Sequence, residues 1–244
     1  MKERQQNILI IGAGLCGSLL SLRMAQRGYN VNVYEMRPDI RKTDISAGRS
    51  INLAFSDRGN KGMKLVGLEE KVKELCIPMN GRMLHDREGN TFLSNYSGRD
   101  HEYINSISRE GLNAMLLDEV EKHENVKIHF NKKCLSVDFE NTKAHFEEYH
   151  TKDKFIEDAD CIIATDGAGS ALRRSYYLER KFLFSFSQDY LTHGYKELTI
   201  LPTENGDYKT YKSALHIWPR GDFMVIALPN LDGSFTVTLF LSYA

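Results

Sequence analysis

The sequence predicts an α/β fold: a parallel sheet wound by helices, a small β-meander, and an antiparallel sheet after them. Three observations predict it. Ile8-Leu9-Ile10-Ile11 is an unbroken aliphatic run, the mark of a strand buried on both faces, and it ends on Gly12-Ala13-Gly14-Leu15-Cys16-Gly17. Cys161-Ile162-Ile163-Ala164 is a second such run and ends on Thr165-Asp166-Gly167. Beyond Arg174 the chain turns to short strands at residues 193–201, 215–218, 223–228 and 235–241, separated by Asn205-Gly206-Asp207, Arg220-Gly221-Asp222 and Asp232-Gly233-Ser234.

The first run and its glycines open a Rossmann-type β-α-β unit. Gly12 permits a tight turn, Gly14 lets the main chain approach a pyrophosphate with no Cβ between, and Gly17 lets the helix pack closely on the strand. The N–H groups around Leu15 and Cys16 then start a helix whose dipole favours an anion. That helix is predicted over residues 15–27, with Leu15, Leu19, Leu22 and Ala25 on its inner stripe and a left-handed cap at Gly28. In the next strand Val31 and Val33 alternate inward. It ends on Glu35, near the spacing of about 20 residues at which an acid accepts hydrogen bonds from an adenosine ribose. Strand, glycines, helix, strand and acid in register are far more specific than Gly-x-Gly-x-x-Gly alone. The alternative is a glycine-rich turn that holds no ligand.

At 244 residues and 41% hydrophobic content, the chain can build one large core or two ordinary ones. A net charge of −1 with both signs interspersed offers no nucleic-acid surface. No apolar run approaches the roughly 18 residues of a membrane span. Met1-Lys2-Glu3-Arg4 leads into a strand instead of a signal peptide, so a cytoplasmic address is expected. Cys16, Cys76, Cys134 and Cys161 show no Cys-x-x-Cys spacing. They are expected to be small buried hydrophobes, neither a metal site nor a disulfide framework.

Residues 37–48 read as a loop that sets Arg37 near the phosphates, with Arg49 just after it; each either pairs with phosphate or is a solvated charge. An extended stretch at 51–55 precedes Ser56, the expected N-cap of a helical region to Leu75 broken near Gly67. Pro78 opens a hairpin of residues 79–86 and 91–96 whose register is open. A two- or four-residue loop sets Arg82 opposite Asn95 and turns Tyr96 to the other face. A three-residue loop, Glu88-Gly89-Asn90 with Asn90 left-handed, sets Arg82 opposite Tyr96.

Ser108 is the expected cap of a helix with Leu112, Met115, Leu116 and Val120 on its apolar face. Arg109 stands in its first turn, where a base is mildly unfavourable unless an anion meets it. Val126-Ile128-Phe130, Leu135-Val137-Phe139 and Ala144-Phe146 alternate as strands of a meander. Asp166 ends a parallel strand, where open sheets bind ligands; the alternative is a turn-forming Asp-Gly. The first domain is expected over residues 1–180, hairpin 79–96 included, and residues 181–244 start the second.

The chain resembles the first half or more of the kynurenine 3-monooxygenase family of single-component FAD hydroxylases. The residues that carry the resemblance are Gly12 to Leu19, Gly48-Arg49-Ser50-Ile51-Asn52-Leu53-Ala54, Ile77-Pro78-Met79 with Arg82-Met83, Ser106 to Glu110, His193-Gly194-Tyr195, Glu197 to Ile200, and His216-Ile217-Trp218-Pro219-Arg220. The glycine and Asp166-Gly167 motifs are shared with the wider para-hydroxybenzoate-hydroxylase-like class. The resemblance implies a Rossmann-type FAD-binding domain and an antiparallel β-sheet substrate domain. It implies FAD held by main chain at Gly12, Gly14, Cys16 and Gly17, by Glu35 at the ribose, by Arg37, Ala54 and Arg109 along the cofactor, by main chain near Cys134 at the adenine, and by Asp166. It places Arg82 and Tyr96 at the substrate carboxylate, which favours the three-residue loop.

The implied reaction is hydroxylation of L-kynurenine to 3-hydroxy-L-kynurenine with NADPH and O₂ through a flavin hydroperoxide, with no metal and no catalytic acid or base named. Two departures stand out. Ser21 occupies a position where the FAD pattern has Gly or Ala. The family's second Gly-Asp motif and later helices lie beyond Ala244, so the chain is expected to be a fragment that lacks activity by itself. Two rivals remain at this point: an NAD-dependent dehydrogenase built on the same β-α-β unit, and a truncated nucleotide-binding chain without catalysis.

Overall fold

In the computed structural model, which describes residues 5–42, 51–99 and 102–243, Ile8 to Ile11 lie in strand β1 (Asn7–Ile11) and are buried. Helix α1 (Leu15–Gln26) returns the chain to β2 (Asn30–Tyr34), which pairs parallel to β1. Gly28, at φ +84°, turns the chain between them. The buried side of α1 is Gly17, Ser18, Ser21, Leu22 and Ala25, whereas Leu15 and Leu19 are only half-buried. The expected apolar stripe is therefore displaced towards small residues, which let a helix approach its neighbour closely. The Ser21 hydroxyl turns back onto Gly17 O at 2.6 Å and is thereby paired within the helix.

The chain continues through β3 (Asn52–Phe55), α2 (Asp57–Leu65) and α3 (Glu69–Lys73). Gly67, at φ +77°, divides the helices as expected, but the Ser56 side chain makes no capping bond. Next come β4 (Cys76–Met79), β5 (Gly81–His85), β6 (Thr91–Asn95) and β7 (Ile104–Ser108). Helix α4 (Arg109–Glu121) begins with Ser108 Oγ accepting the Gly111 N–H. Strands β8 (Val126–His129), β9 (Lys132–Asp138), β10 (Lys143–Glu148), β11 (Lys154–Asp158) and β12 (Cys161–Ala164) lead to α5 (Ala171–Leu178). The last strands are β13 (His193–Ile200), β14 (Ala214–Arg220), β15 (Phe223–Pro229) and β16 (Phe235–Ser242).

Two compact units result, Met1–Asp44 with Asn113–Gln188 and Ile45–Leu112 with Asp189–Ala244. The first holds a parallel sheet in the order β12-β1-β2-β8 and the meander β11-β10-β9. Alternation along β1 builds two cores. Ile8 and Ile10 pack with Val31, Val33 and Leu117 on one face, and Leu9 and Ile11 with Cys134, Val137, Ala144 and Phe146 of the meander on the other. The Val126 segment is not a meander strand as expected: β8 pairs parallel with β2, and β11 takes its place in the meander. Val126 and Ile128 join the Val31 and Val33 core, a packing gain that alternation alone does not assign to one sheet or another.

The second unit holds the antiparallel sheet β3-β7-β4 and a six-stranded sheet in the order β13-β16-β15-β14-β5-β6. Here the expected division at residue 180 differs from what is found. Hairpin 79–96 contributes β5 and β6 to the six-stranded sheet, where β5 runs parallel to β14. That sheet is therefore mixed and not purely antiparallel. A two-stranded hairpin is marginal by itself, and pairing with β14 satisfies the outer edge of β5. Among the described residues no helix is long and apolar enough to cross a membrane.

Candidate nucleotide and substrate sites

The glycine loop separates its three glycines by what each is for. Gly12 has φ +99°, and a Cβ there would lie 2.7 Å from Thr165 O. A Cβ on Gly17 would run into Gly12 O. Both glycines are required by the protein's own packing. Gly14 is not: a Cβ on it would meet nothing within 4 Å, and the space faces the first turn of α1. That turn has no side-chain cap and no acid, so its N–H groups and dipole are available to an anion. An open cradle above an uncapped helix start fits a pyrophosphate.

Side chains distant in sequence hold this loop. Glu35 follows β2 and is buried; its Oε2 accepts the Ala13 N–H at 2.8 Å, and its Oε1 accepts the Arg37 N–H and Nε–H, both at 2.9 Å. A carboxylate has about four acceptor directions, so one remains for a hydroxyl. Ala13 O accepts from Ser18 Oγ at 3.0 Å and from Asn113 Nδ2 at 3.2 Å. Thr165 Oγ1 lies 2.9 Å from Ile11 O and 2.8 Å from Gly12 O. Ser18, Asn113 and Thr165 had no sequence signal beyond their nearness to the motifs.

Asp166 follows β12, which pairs with β1 on the side opposite β2. The winding of the sheet reverses there, the position at which open α/β sheets take ligands. One carboxylate oxygen, Oδ2, accepts the Ala171 N–H at 2.7 Å and so anchors the start of α5; Gly167 is left-handed at φ +76°. Cys134 is buried in β9, and burial, with the charge of Asp166 second, pushes its thiol up to about 12. It is an inert thiol, as expected of a structural cysteine. Cys76 is also pushed up, by burial, to about 11, whereas Cys16 and Cys161 are exposed and depart from the expected burial. The first unit thus gathers Gly12, Gly14, Cys16, Gly17, Glu35, Arg37 and Asp166 at the carboxyl ends of β1, β2 and β12, with Cys134 in the adjoining meander.

The other expected site residues belong to the second unit. Ala54 is exposed on β3, and Arg109 is exposed at the start of α4. Arg49 lies outside the described residues. In the hairpin, Arg82 stands opposite Ser94, not Asn95 or Tyr96. Asp86 N–H donates to Asn90 O at 3.1 Å, which closes a loop of Arg87, Glu88 and Gly89. Gly89, at φ +90°, takes the left-handed position expected of Asn90. Asn90 instead gives its main-chain N–H and its side-chain amide to the Asp86 carboxylate at 2.7 and 2.8 Å. The register is shifted by two residues, so parity is kept. Arg82 and Tyr96 are diagonal neighbours on one face, and the guanidinium lies 4.7 Å from the centre of the Tyr96 ring. The Tyr96 hydroxyl is buried with no partner among the described residues, and burial pushes its phenol up, against the lowering charge of Arg82. An unpaired buried hydroxyl beside a guanidinium suits an anionic acceptor.

The family model described as FAD binding domain matches residues 5–185. Kynurenine 3-monooxygenase of Anopheles gambiae is 43% identical over 100% of this chain and 50% of its own length. That of Myxococcus xanthus is 43% identical over 99% of this chain and 52% of its own, and that of Sus scrofa 44% identical over 98% and 50%. The chain spans about half the length of the curated relatives it matches. Among solved structures, 2-methyl-3-hydroxypyridine-5-carboxylic acid oxygenase matches 98% of this chain and 60% of its own with a TM-score of 0.74 at 16% identity. The p-nitrophenol 4-monooxygenase PnpA of Pseudomonas putida covers 98% of this chain and 58% of its own, with a TM-score of 0.75 at 15% identity. These two likenesses concern the fold alone. With its glycine loop, acid and winding reversal inside the matched span, the chain belongs to the FAD-binding-domain family and resembles, over its whole length, about half of a kynurenine 3-monooxygenase.

Proposed function

We propose that the chain is part of a FAD-dependent aromatic monooxygenase that uses NADPH and O₂ to convert L-kynurenine to 3-hydroxy-L-kynurenine, with NADP⁺ and water as the other products. The observation that carries the substrate is the Arg82 guanidinium set over Tyr96 beside an unpartnered buried hydroxyl. A planar fork of donors suits an amino-acid carboxylate. FAD, when bound, supplies the redox and oxygen chemistry. The residues of this chain bind and orient.

Main chain at Gly12, Gly14, Cys16 and Gly17 faces the pyrophosphate, and the free acceptor direction of Glu35 takes a ribose hydroxyl. Arg37 lies along the cofactor, main chain near Cys134 meets the adenine, and Asp166 closes the approach. Arg82 and Tyr96 hold the substrate carboxylate, which fixes the aromatic ring at a distance set by the amino-acid side chain. The aniline ring is already electron-rich, so no acid or base from this chain is assigned to the oxygen transfer.

The FAD-binding-domain match supports FAD over NAD as the dinucleotide. The test is an absorbance scan of the purified chain titrated with FAD and, separately, with NAD. A saturable flavin spectral change with FAD and no effect of NAD is expected; the reverse would remove the reading.

A further inference from the structure

The segment His216-Ile217-Trp218-Pro219-Arg220 lies in β14, and nothing in the proposed reaction uses it. Alternate residues of a strand share a face, and His216, Trp218 and Arg220 all reach the end of β5. His216 is fully buried, and its Nδ1 lies 2.8 Å from His85 Nε2. Its Nε2 lies 2.7 Å from Tyr211 O, a group that only accepts. Nε2 therefore carries the His216 proton, Nδ1 accepts, and His85 Nε2–H donates. The Trp218 indole stacks on His85 with ring centres 4.1 Å apart. Arg220 donates to His85 O at 3.0 Å and to Asp86 O at 2.8 Å.

The opposite face of β5 carries Arg82. Strand β5 pairs with β14 only from Gly81 to Leu84, and β6 beyond it is the sheet edge, so β14 alone ties the hairpin to the rest of that sheet. A slip of one residue would turn Arg82 to the wrong face, and a slip of two would carry it about 7 Å along the strand. The three β14 side chains grip β5 at and just past the end of that short ladder, where slippage would start.

We infer that His216, with Trp218 and Arg220, is a positioning clamp that sets the register of β5 on β14 and thereby the place in the sheet of the Arg82–Tyr96 pair, whose own pairing the β5–β6 hairpin fixes, for an anionic carboxylate; this rests on the proposed reading of Arg82 and Tyr96. The charged group facing the histidine pair is Arg220, and its other neighbours are Trp218, Phe235 and the Tyr211 carbonyl. A second proton on His216 would go to Nδ1 and face the His85 N–H. A proton added to half-exposed His85 goes to its own Nδ1 and keeps the Nε2–H bond; only the further proton, on His216, opens the clamp.

The test compares His216→Phe, His85→Gln and Arg82→Met in the full-length protein. Each is titrated with L-kynurenine and with kynuramine, the same molecule without its carboxylate, and the exchange of the β5 amides is followed. His216→Phe is expected to weaken L-kynurenine about tenfold, to leave kynuramine and FAD content unchanged, and to speed β5 exchange. Glutamine at 85 can present an N–H to neutral His216 or a C=O to the protonated ring. His85→Gln, which keeps the hydrogen bond to His216 but loses the Trp218 stack, is expected to weaken L-kynurenine less than His216→Phe does and to lose the acid-side fall in L-kynurenine binding that the wild type shows.

Equal weakening of both compounds by His216→Phe, or no weakening of either, overturns the clamp. If His216→Phe does not fold, the pH profile of His85→Gln decides, and an unchanged acid-side fall overturns it. If Arg82→Met binds L-kynurenine normally, the carboxylate reading fails instead. The clamp is then decided by exchange alone, and unchanged β5 exchange in His216→Phe overturns it.

Discussion

The Glu35 carboxylate accepts the Ala13 N–H at 2.8 Å, so the acid after the second strand is bonded to the glycine loop that ends the first. One side chain thus shapes the phosphate cradle and presents an acceptor beside it. Glu35→Ala is expected to cost on the order of 1 to 3 kcal/mol in FAD binding and a similar amount in stability, the range for charge-assisted hydrogen bonds lost from a buried site. FAD titration and denaturant unfolding of the same variant check both. A loss of stability without a loss of FAD affinity would assign Glu35 to the loop alone.

Gly14→Ala separates ligand from scaffold. Gly14 has φ −71° and ψ −176°, which alanine adopts freely, and its Cβ would meet nothing within 4 Å. The variant is expected to unfold within about 0.5 kcal/mol of wild type, as harmless surface changes do, yet to lose most FAD affinity. Gly17→Ala, whose Cβ would strike Gly12 O, is expected to unfold much more easily. Denaturant curves beside flavin titrations distinguish the two.

Arg82→Met is expected to raise the L-kynurenine dissociation constant roughly tenfold to a hundredfold, as the loss of a charge-assisted contact does. Tyr96→Phe should cost less, since one neutral hydrogen bond goes. It should also leave the unliganded protein as stable as before or slightly more so, because the hydroxyl it removes is buried and unpartnered. Calorimetric titration and thermal unfolding read the two effects; a Tyr96→Phe protein that is clearly less stable would show the hydroxyl to be structural.

Burial holds both His216 and His85 below the ordinary imidazole value of 6.5, the His216 and Arg220 charges adding to the effect at His85. His129 is held down by burial in the same direction. Between the folded and unfolded values the unfolded chain binds more protons, so this stability is fully present above 6.5 and falls as pH drops through the folded values. Unfolding midpoints measured from about pH 7 down to about pH 5 should fall, and fall less in His216→Phe. A midpoint independent of pH in that window would contradict the buried neutral pair.

What was legible in the sequence was local. β1, its glycines, α1, β2 and Glu35 lie within one short stretch, and each rule applied there concerns near neighbours. The hairpin was legible as a hairpin but not as part of the six-stranded sheet, because Gly81 pairs with Ala214 and no local pattern records that. Its loop turned on Gly89 in place of Asn90, since glycine takes the left-handed position at less cost. Strand β8 alternates just as the meander strands do, and period does not say which sheet a strand joins. The buried side of α1 was legible at Gly17, Leu22 and Ala25 but not at Ser18 and Ser21, which carry no hydrophobic signal. Thr165 and Asn113 act through hydroxyl and amide contacts to main chain that only the folded geometry brings together.

The most direct measurement is product formation by the full-length protein supplied with L-kynurenine, NADPH and O₂. The expected result is 3-hydroxy-L-kynurenine, with one NADPH and one O₂ consumed per product, abolished when FAD is stripped and restored when it is returned. NADPH oxidation with no hydroxylated product at saturating L-kynurenine, or product formed equally well without FAD, would contradict it.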